Sequence, residues 1–107
     1  TPQDVALIDA RKGINMFKKV NVPVIGLIEN MSYFICNKCK ERHEIFSHGG
    51  ARNEAQKLGT NFLGEIPLDT QLRICSDQGK PLLINEPENE ISKIYKEIAK
   101  KIIKHSF

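Results

Sequence analysis

Along the first twenty residues, small and apolar positions recur three or four apart, at Ala6, Ala10, Gly13, Phe17 and Val20. That is the period of a helix, with one narrow stripe able to lie close against a sheet. Thr1 as N-cap, Pro2 at the first helical position and Asp4 near the free N–H groups predict its start, and its end falls near Lys19. From Val22 to Ile28 the chain is apolar without alternation, which predicts a strand buried on both faces under helices, closed by polar Glu29 and Asn30. Gly49 and Gly50 precede ARNEAQKLG, a short helix with Ala51, Ala55 and Leu58 on one side and Gly59 as its stop. NFLGEIP is the next strand, and Asp69 caps a helix, TQLRICSDQ, ended by Gly79 and Pro81; PLLI reads as a short extended piece. From Glu88 to His105, Ile91, Ile94, Ile98 and Ile102 share one face of a long amphipathic helix. Its glutamates stand at the start and its lysines dominate the end, as the helix dipole favours, and the lysine face is expected to be solvated.

Alternating helices and strands predict an α/β fold, a parallel sheet flanked by helices. Two clear strands make a poor sheet, and the opening helix looks like a crossover whose preceding strand is missing. With Thr1 rather than Met at the start, the chain is expected to be a piece of a longer one.

Composition narrows the function classes. At 107 residues and 40% apolar, the chain fits one layered domain at most. No apolar run approaches the length of a membrane span and the opening is not a secretory leader, so a cytoplasmic location is expected, with no membrane partner. The net charge of +3 is mild and dispersed, which does not suggest nucleic acid. Cys75 reads as a small buried side chain on a helix.

Chemistry concentrates in CNKCKERHEIFSHGG, residues 36 to 50. Cys36 and Cys39 present two thiols from one turn, and Lys38, Lys40 and Arg42 favour the thiolate form. Three uses compete. A zinc site could be completed by His43 and His48, as C-x2-C-x3-H-x4-H, although the histidines follow sooner than in the usual finger. A redox pair would normally open a helix, whereas this segment is charged and lacks helical periodicity. An iron-sulfur cluster usually takes four thiolates, so one such loop is half a ligand set and a second copy supplies the rest. His48-Gly49-Gly50 is read as helix-entry geometry, there being no G-x-S-x-G nucleophile elbow, and Asn30-Met31-Ser32 matches the glycosylation sequon by chance. No GxxxxGK[ST] phosphate loop occurs, so these residues alone are not expected to hydrolyse a nucleotide.

TPQDVALIDARKG, VPVIGLIENMSYFIC, the CxxC, HEIFSHGGAR and FLGEIPLD together resemble, in family order, the C-terminal half of the Mrp/ApbC-type iron-sulfur cluster carriers. These are deviant P-loop ATPases related to MinD and the nitrogenase iron protein. The resemblance spans nearly all of the chain, so residues 1–107 would be the C-terminal half of a P-loop NTPase domain whose phosphate-binding half is absent. It implies an ATP- and Mg-dependent homodimer that holds a 4Fe-4S cluster between subunits and passes it to apo iron-sulfur proteins. Cys36 and Cys39 match the cluster ligands; Asn37 stands where the family often has Pro. Zinc is a possible substitute ion. Asn30 matches the strand-end asparagine that meets the adenine edge, and Pro67 and Asp69 the loop flanking the base. Asn30 as a turn former and Asp69 as a helix cap are the plainer alternatives. Tyr33, Phe34, Ile35 and Phe46 would lie at the subunit contact or in the chain's own core.

Overall fold

A computed structural model describes residues 1–106. The elements are α1 (Asp4–Lys19), β1 (Gly26–Ile35), β2 (Arg42–His43), α2 (Gly50–Leu58), β3 (Asn61–Leu68), α3 (Thr70–Asp77), α4 (Leu82–Asn85) and α5 (Glu90–Ser106). The fold is α/β, and its three-stranded sheet runs in the order β2-β1-β3. β1 and β3 are parallel, as the α2 crossover between them requires, with Leu27 opposite Phe62 and Asn30 opposite Ile66. β2 is antiparallel to β1, so the sheet is mixed.

The central strand departs from expectation. It begins at Gly26 rather than Val22, and it continues past Asn30 to Ile35. Met31 adopts a left-handed φ of 51°, and the register with β3 shifts between Asn30 and Phe34. The strand thereby divides into a parallel half and a hairpin half. Nor is it buried on both faces, for Ile28 is 41% exposed. Over Gly26–Asn30 it pairs with β3 on one side, and no strand among the described residues covers the other edge.

α1 differs in a related way. Its buried positions are Leu7 and Ile14, whereas Ala10, Phe17 and Val20 of the expected stripe are exposed. The helix meets α2 through this narrower face, where Arg11 Nε donates to Glu54 Oε2 at 2.8 Å. Its cap position is Gln3, not Thr1. Pro2 is buried against Gly50, where an added Cβ would meet the Pro2 carbonyl at 3.0 Å, and the chain stays extended through Gln3 before the helix begins.

α2 opens at Gly49, whose left-handed φ of 74° turns the chain into the helix. Ala51 and Ala55 are buried as the spacing predicts. α5 covers β3 through Ile98, which packs with Leu63 and Ile66, and meets α3 and α4 through Ile91, which joins Cys75 and Leu82. The approach is close because position 64 is glycine: a Cβ there would lie 2.9 Å from Ile98 Cγ1. Asp69 caps α3 by accepting the Leu72 N–H at 2.8 Å. PLLI is not extended; it forms the single turn α4, in which the Pro81 carbonyl accepts from Ile84 and Asn85 while Leu82 anchors the turn in the core.

Candidate functional site

The hairpin half of β1 presents the two thiols. Phe34 faces His43 and Ile35 faces Arg42. Beyond them the Cys36 N–H donates to the Glu41 carbonyl at 3.0 Å and the Cys36 carbonyl accepts the Lys40 N–H at 2.8 Å, closing a tight turn over residues 36–41. Lys40 reverses the chain with a φ of 61°. Cys36 is half-buried, Cys39 is exposed and both are free thiols. The N–H of Cys39, then that of Lys38, then the Cys39 side chain hold the Cys36 thiol below its ordinary pKa; the charge of Lys40 adds to this and burial opposes it. Donors aimed at sulfur favour the thiolate, which is the form that binds metals.

The hairpin is anchored by charge. The Arg42 guanidinium lies 4.0 Å from the Tyr33 ring centroid and reaches Glu65 of β3 at 3.6 Å. Tyr33, Phe34 and Phe46 are half-buried, and Ile35 is exposed.

The two histidines part company. His43 gathers with Cys39 and Glu41, their ligand atoms within 4.8 Å of one another. His48 gathers instead with Glu29 and Glu65, and its Nδ1 lies 3.2 Å from Glu44 Oε1. The fourfold set Cys36, Cys39, His43 and His48 is therefore not brought together. Glu41 was not singled out by sequence reasoning. Its signal is the two-residue alternation that puts Cys36, Glu41 and His43 on one hairpin face, legible only once residues 36–41 are known to be a turn.

Pro67 and Asp69 lie at the carboxyl end of β3, where open α/β sheets bind their ligands, and Asn30, in the middle of β1, closes the regularly paired parallel run opposite Ile66. Asn30 is exposed, and its Oδ1 accepts the Met31 N–H at 2.9 Å, which leaves the amide NH₂ free to donate outward. Pro67 and Asp69 share the wall of a 240 Å³ cleft with Tyr33, Asn37 and Asn89. Asn30 does not line that cleft. Beneath Asn30 sits Glu29, fully buried within the strand rather than ending it as its polarity predicts.

A family model described as ParA, NUBPL iron-transfer P-loop NTPase, matches residues 1–103. An iron-sulfur cluster transfer protein, NUBPL, of Dictyostelium discoideum is 55% identical over 104 residues, covering 97% of this chain and 32% of that protein. An iron-sulfur cluster carrier protein of Escherichia coli K12 is 50% identical over 102 residues, 95% of this chain and 28% of that one. Among solved structures, a nucleotide-binding protein from Archaeoglobus fulgidus in complex with ADP superposes with a TM-score of 0.67 at 35% identity, over 86% of this chain and 37% of its own. The chain thus spans about a third of the length of these relatives.

Proposed function

The chain belongs to the ParA family of NUBPL-type iron-transfer P-loop NTPases, and from that premise we propose that it is the C-terminal part of the P-loop NTPase domain of an ATP-dependent iron-sulfur cluster carrier. In the whole protein two subunits hold a bridging 4Fe-4S cluster and deliver it to apo iron-sulfur proteins, with ATP and Mg bound by the same domain.

The observation that carries this reading is the paired thiols of Cys36 and Cys39, with Cys36 already acidified, at the tip of a hairpin that projects from the ligand-binding end of the sheet. One loop gives two thiolates where a cubane cluster commonly takes four. A twofold-related copy completes the set, because Cys75 is buried in the core beside Leu82 and Ile91. Half-buried Tyr33, Phe34 and Phe46 then shield the shared site. The exposed apolar edge of β1 and the uncovered face of α1 support the view that a P-loop half of the same domain continues this sheet. Free thiols fit a reducing compartment such as the cytoplasm. No described helix is long and apolar enough to cross a membrane. Asn30, Pro67 and Asp69 are assigned to the nucleotide base, the Asn30 amide donating to it. The same thiolates accept zinc as a substitute; a structural zinc module built on Cys36, Cys39, His43 and His48 is disfavoured by the separation of His48 from the thiols.

The test is anaerobic reconstitution of the full-length protein followed by iron, sulfide and size-exclusion analysis. One 4Fe-4S cluster per dimer is expected, lost in Cys36→Ser with Cys39→Ser. A cluster on a monomer, or one retained by that double variant, overturns the proposal.

A further inference from the structure

We infer that the hairpin also holds a single divalent transition-metal ion within one chain, with Cys39, Glu41 and His43 as three ligands and Cys36 as the fourth. The site reuses the two thiols of the proposed cluster loop and does not require that reading.

The register of the hairpin makes the argument. Residues opposite one another across an antiparallel pair share a face, and residues two apart on a strand share a face. Phe34 pairs with His43, and the Cys36 N–H to Glu41 carbonyl bond extends the pairing by two residues, so Cys36, Glu41 and His43 project from the same side. The turn then returns Cys39 to that side: its sulfur, a Glu41 carboxylate oxygen and a His43 ring nitrogen all lie within 4.8 Å of one another. In a tetrahedral site with metal–sulfur bonds of about 2.3 Å and metal–nitrogen bonds of about 2.0 Å, neighbouring donors stand roughly 3.5 Å apart. Contraction by about 1 Å is open to these side chains, because Cys39, Glu41 and His43 are exposed and belong to a turn and a two-residue strand. Cys36 stands outside that 4.8 Å group but on the same face, opposite Glu41, so rotation of its side chain brings its sulfur to the three. Phe34, opposite His43 with ring centroids 6.5 Å apart, limits the sweep of the imidazole.

The donor set defines the ion. Two thiolates, one imidazole and one carboxylate suit zinc, ferrous iron or cobalt, and disfavour calcium or magnesium, which prefer oxygen alone. A bridging cluster, by contrast, uses thiolates from two chains and has no need of Glu41 or His43. The two occupancies therefore separate by stoichiometry and by ligand.

Cobalt(II) serves as the probe, titrated anaerobically into reduced, metal-free full-length protein and followed by its thiolate charge-transfer and tetrahedral d–d absorption, with size-exclusion in parallel. One cobalt per chain on a monomer is expected. His43→Ala and Glu41→Gln should each weaken binding by about tenfold or more, while His48→Ala leaves it unchanged. The 4Fe-4S cluster on the dimer should survive His43→Ala and Glu41→Gln. Cobalt bound at one per two chains, or with full affinity in both His43→Ala and Glu41→Gln, overturns the inference. A protein that takes cobalt on the monomer yet never assembles a cluster overturns the carrier reading and leaves this one standing.

Discussion

The Glu29 carboxylate accepts the N–H of Ala51 at 3.1 Å, tying the middle of β1 to the first turn of α2. Its other oxygen takes the Ser32 hydroxyl, so both ends of a fully buried side chain are satisfied. The negative charge also meets the positive end of the helix. Asn30 and Met31 are held between Glu29 and Ser32, and the left-handed turn at Met31 is fixed from both sides.

Glu29→Ala should consequently destabilise the protein by about 2–4 kcal/mol, through the cavity and the orphaned Ala51 N–H and Ser32 hydroxyl. Ser32→Ala, which removes one of the two partners, should cost about 1–3 kcal/mol. Denaturant midpoints measure both. A Glu29→Ala protein as stable as the parent would show that the buried carboxylate is not an anchor.

The pair Arg11 and Glu54 gives the fold an acid-sensitive clasp between α1 and α2. The Arg11 hydrogen bond, and then its charge, hold the Glu54 carboxyl below its ordinary value of 4.5, against the opposing effect of burial. A depressed folded-state pKa contributes stability that is fully present above the ordinary value and lost as pH falls through the depressed one. Glu54→Gln should therefore flatten the acid limb of stability against pH while Arg11 stays charged throughout. An unchanged acid limb, measured by chemical denaturation at successive pH values, would remove the clasp from the account.

What was legible in the chain follows the range of the forces. The Asp69 cap, the Gly49-Gly50 helix entry and the isoleucine face of α5 are set within a few residues, and the sequence announces them. The course of β1 is not local. Whether Glu29 ends a strand or lies buried within one depends on Ala51, twenty-two residues away, and whether residues 31–35 form a loop or a strand depends on β2. The stripe predicted on α1 does not face inward, because the inward face is chosen by Gly50 and Glu54 rather than by small residues. PLLI looked extended because Pro81 precedes apolar residues, yet a proline can stand at the start of a helical turn and Leu82 has a pocket to fill. At the candidate site, the thiols and Asn30 could be named from the chain, while Glu41 needed the hairpin register.

At Gly64 the side chain of Ile98 on α5 lies directly against the backbone of β3. In Gly64→Ala the new methyl would stand 2.9 Å from Ile98 Cγ1 and 3.1 Å from Cδ1, at a φ of 157°. Overpacking of this kind should cost about 1–3 kcal/mol. Ile98→Val removes Cδ1, so the double variant should lose less than the two single losses combined. Strictly additive losses would mean that the helix shifts as a body and the contact is not local.

Asn30 offers the sharpest division between a binding role and a turn-forming one. Its Oδ1 is occupied by the Met31 N–H, so what it can offer a nucleotide base is the amide NH₂. Asn30→Ala should weaken ATP binding by the full-length protein by about 1–3 kcal/mol, but so would any change that loosened the Met31 turn. Asn30→Asp separates the two effects. An aspartate keeps an oxygen for the Met31 N–H and preserves the turn, yet it replaces the outward NH₂ by a second acceptor carrying negative charge. If the amide donates to the base, Asn30→Asp should bind ATP at least as poorly as Asn30→Ala while retaining the parent's stability. Calorimetric titration of ATP, read beside denaturant midpoints, decides the matter: parental affinity in Asn30→Asp would return Asn30 to the turn alone.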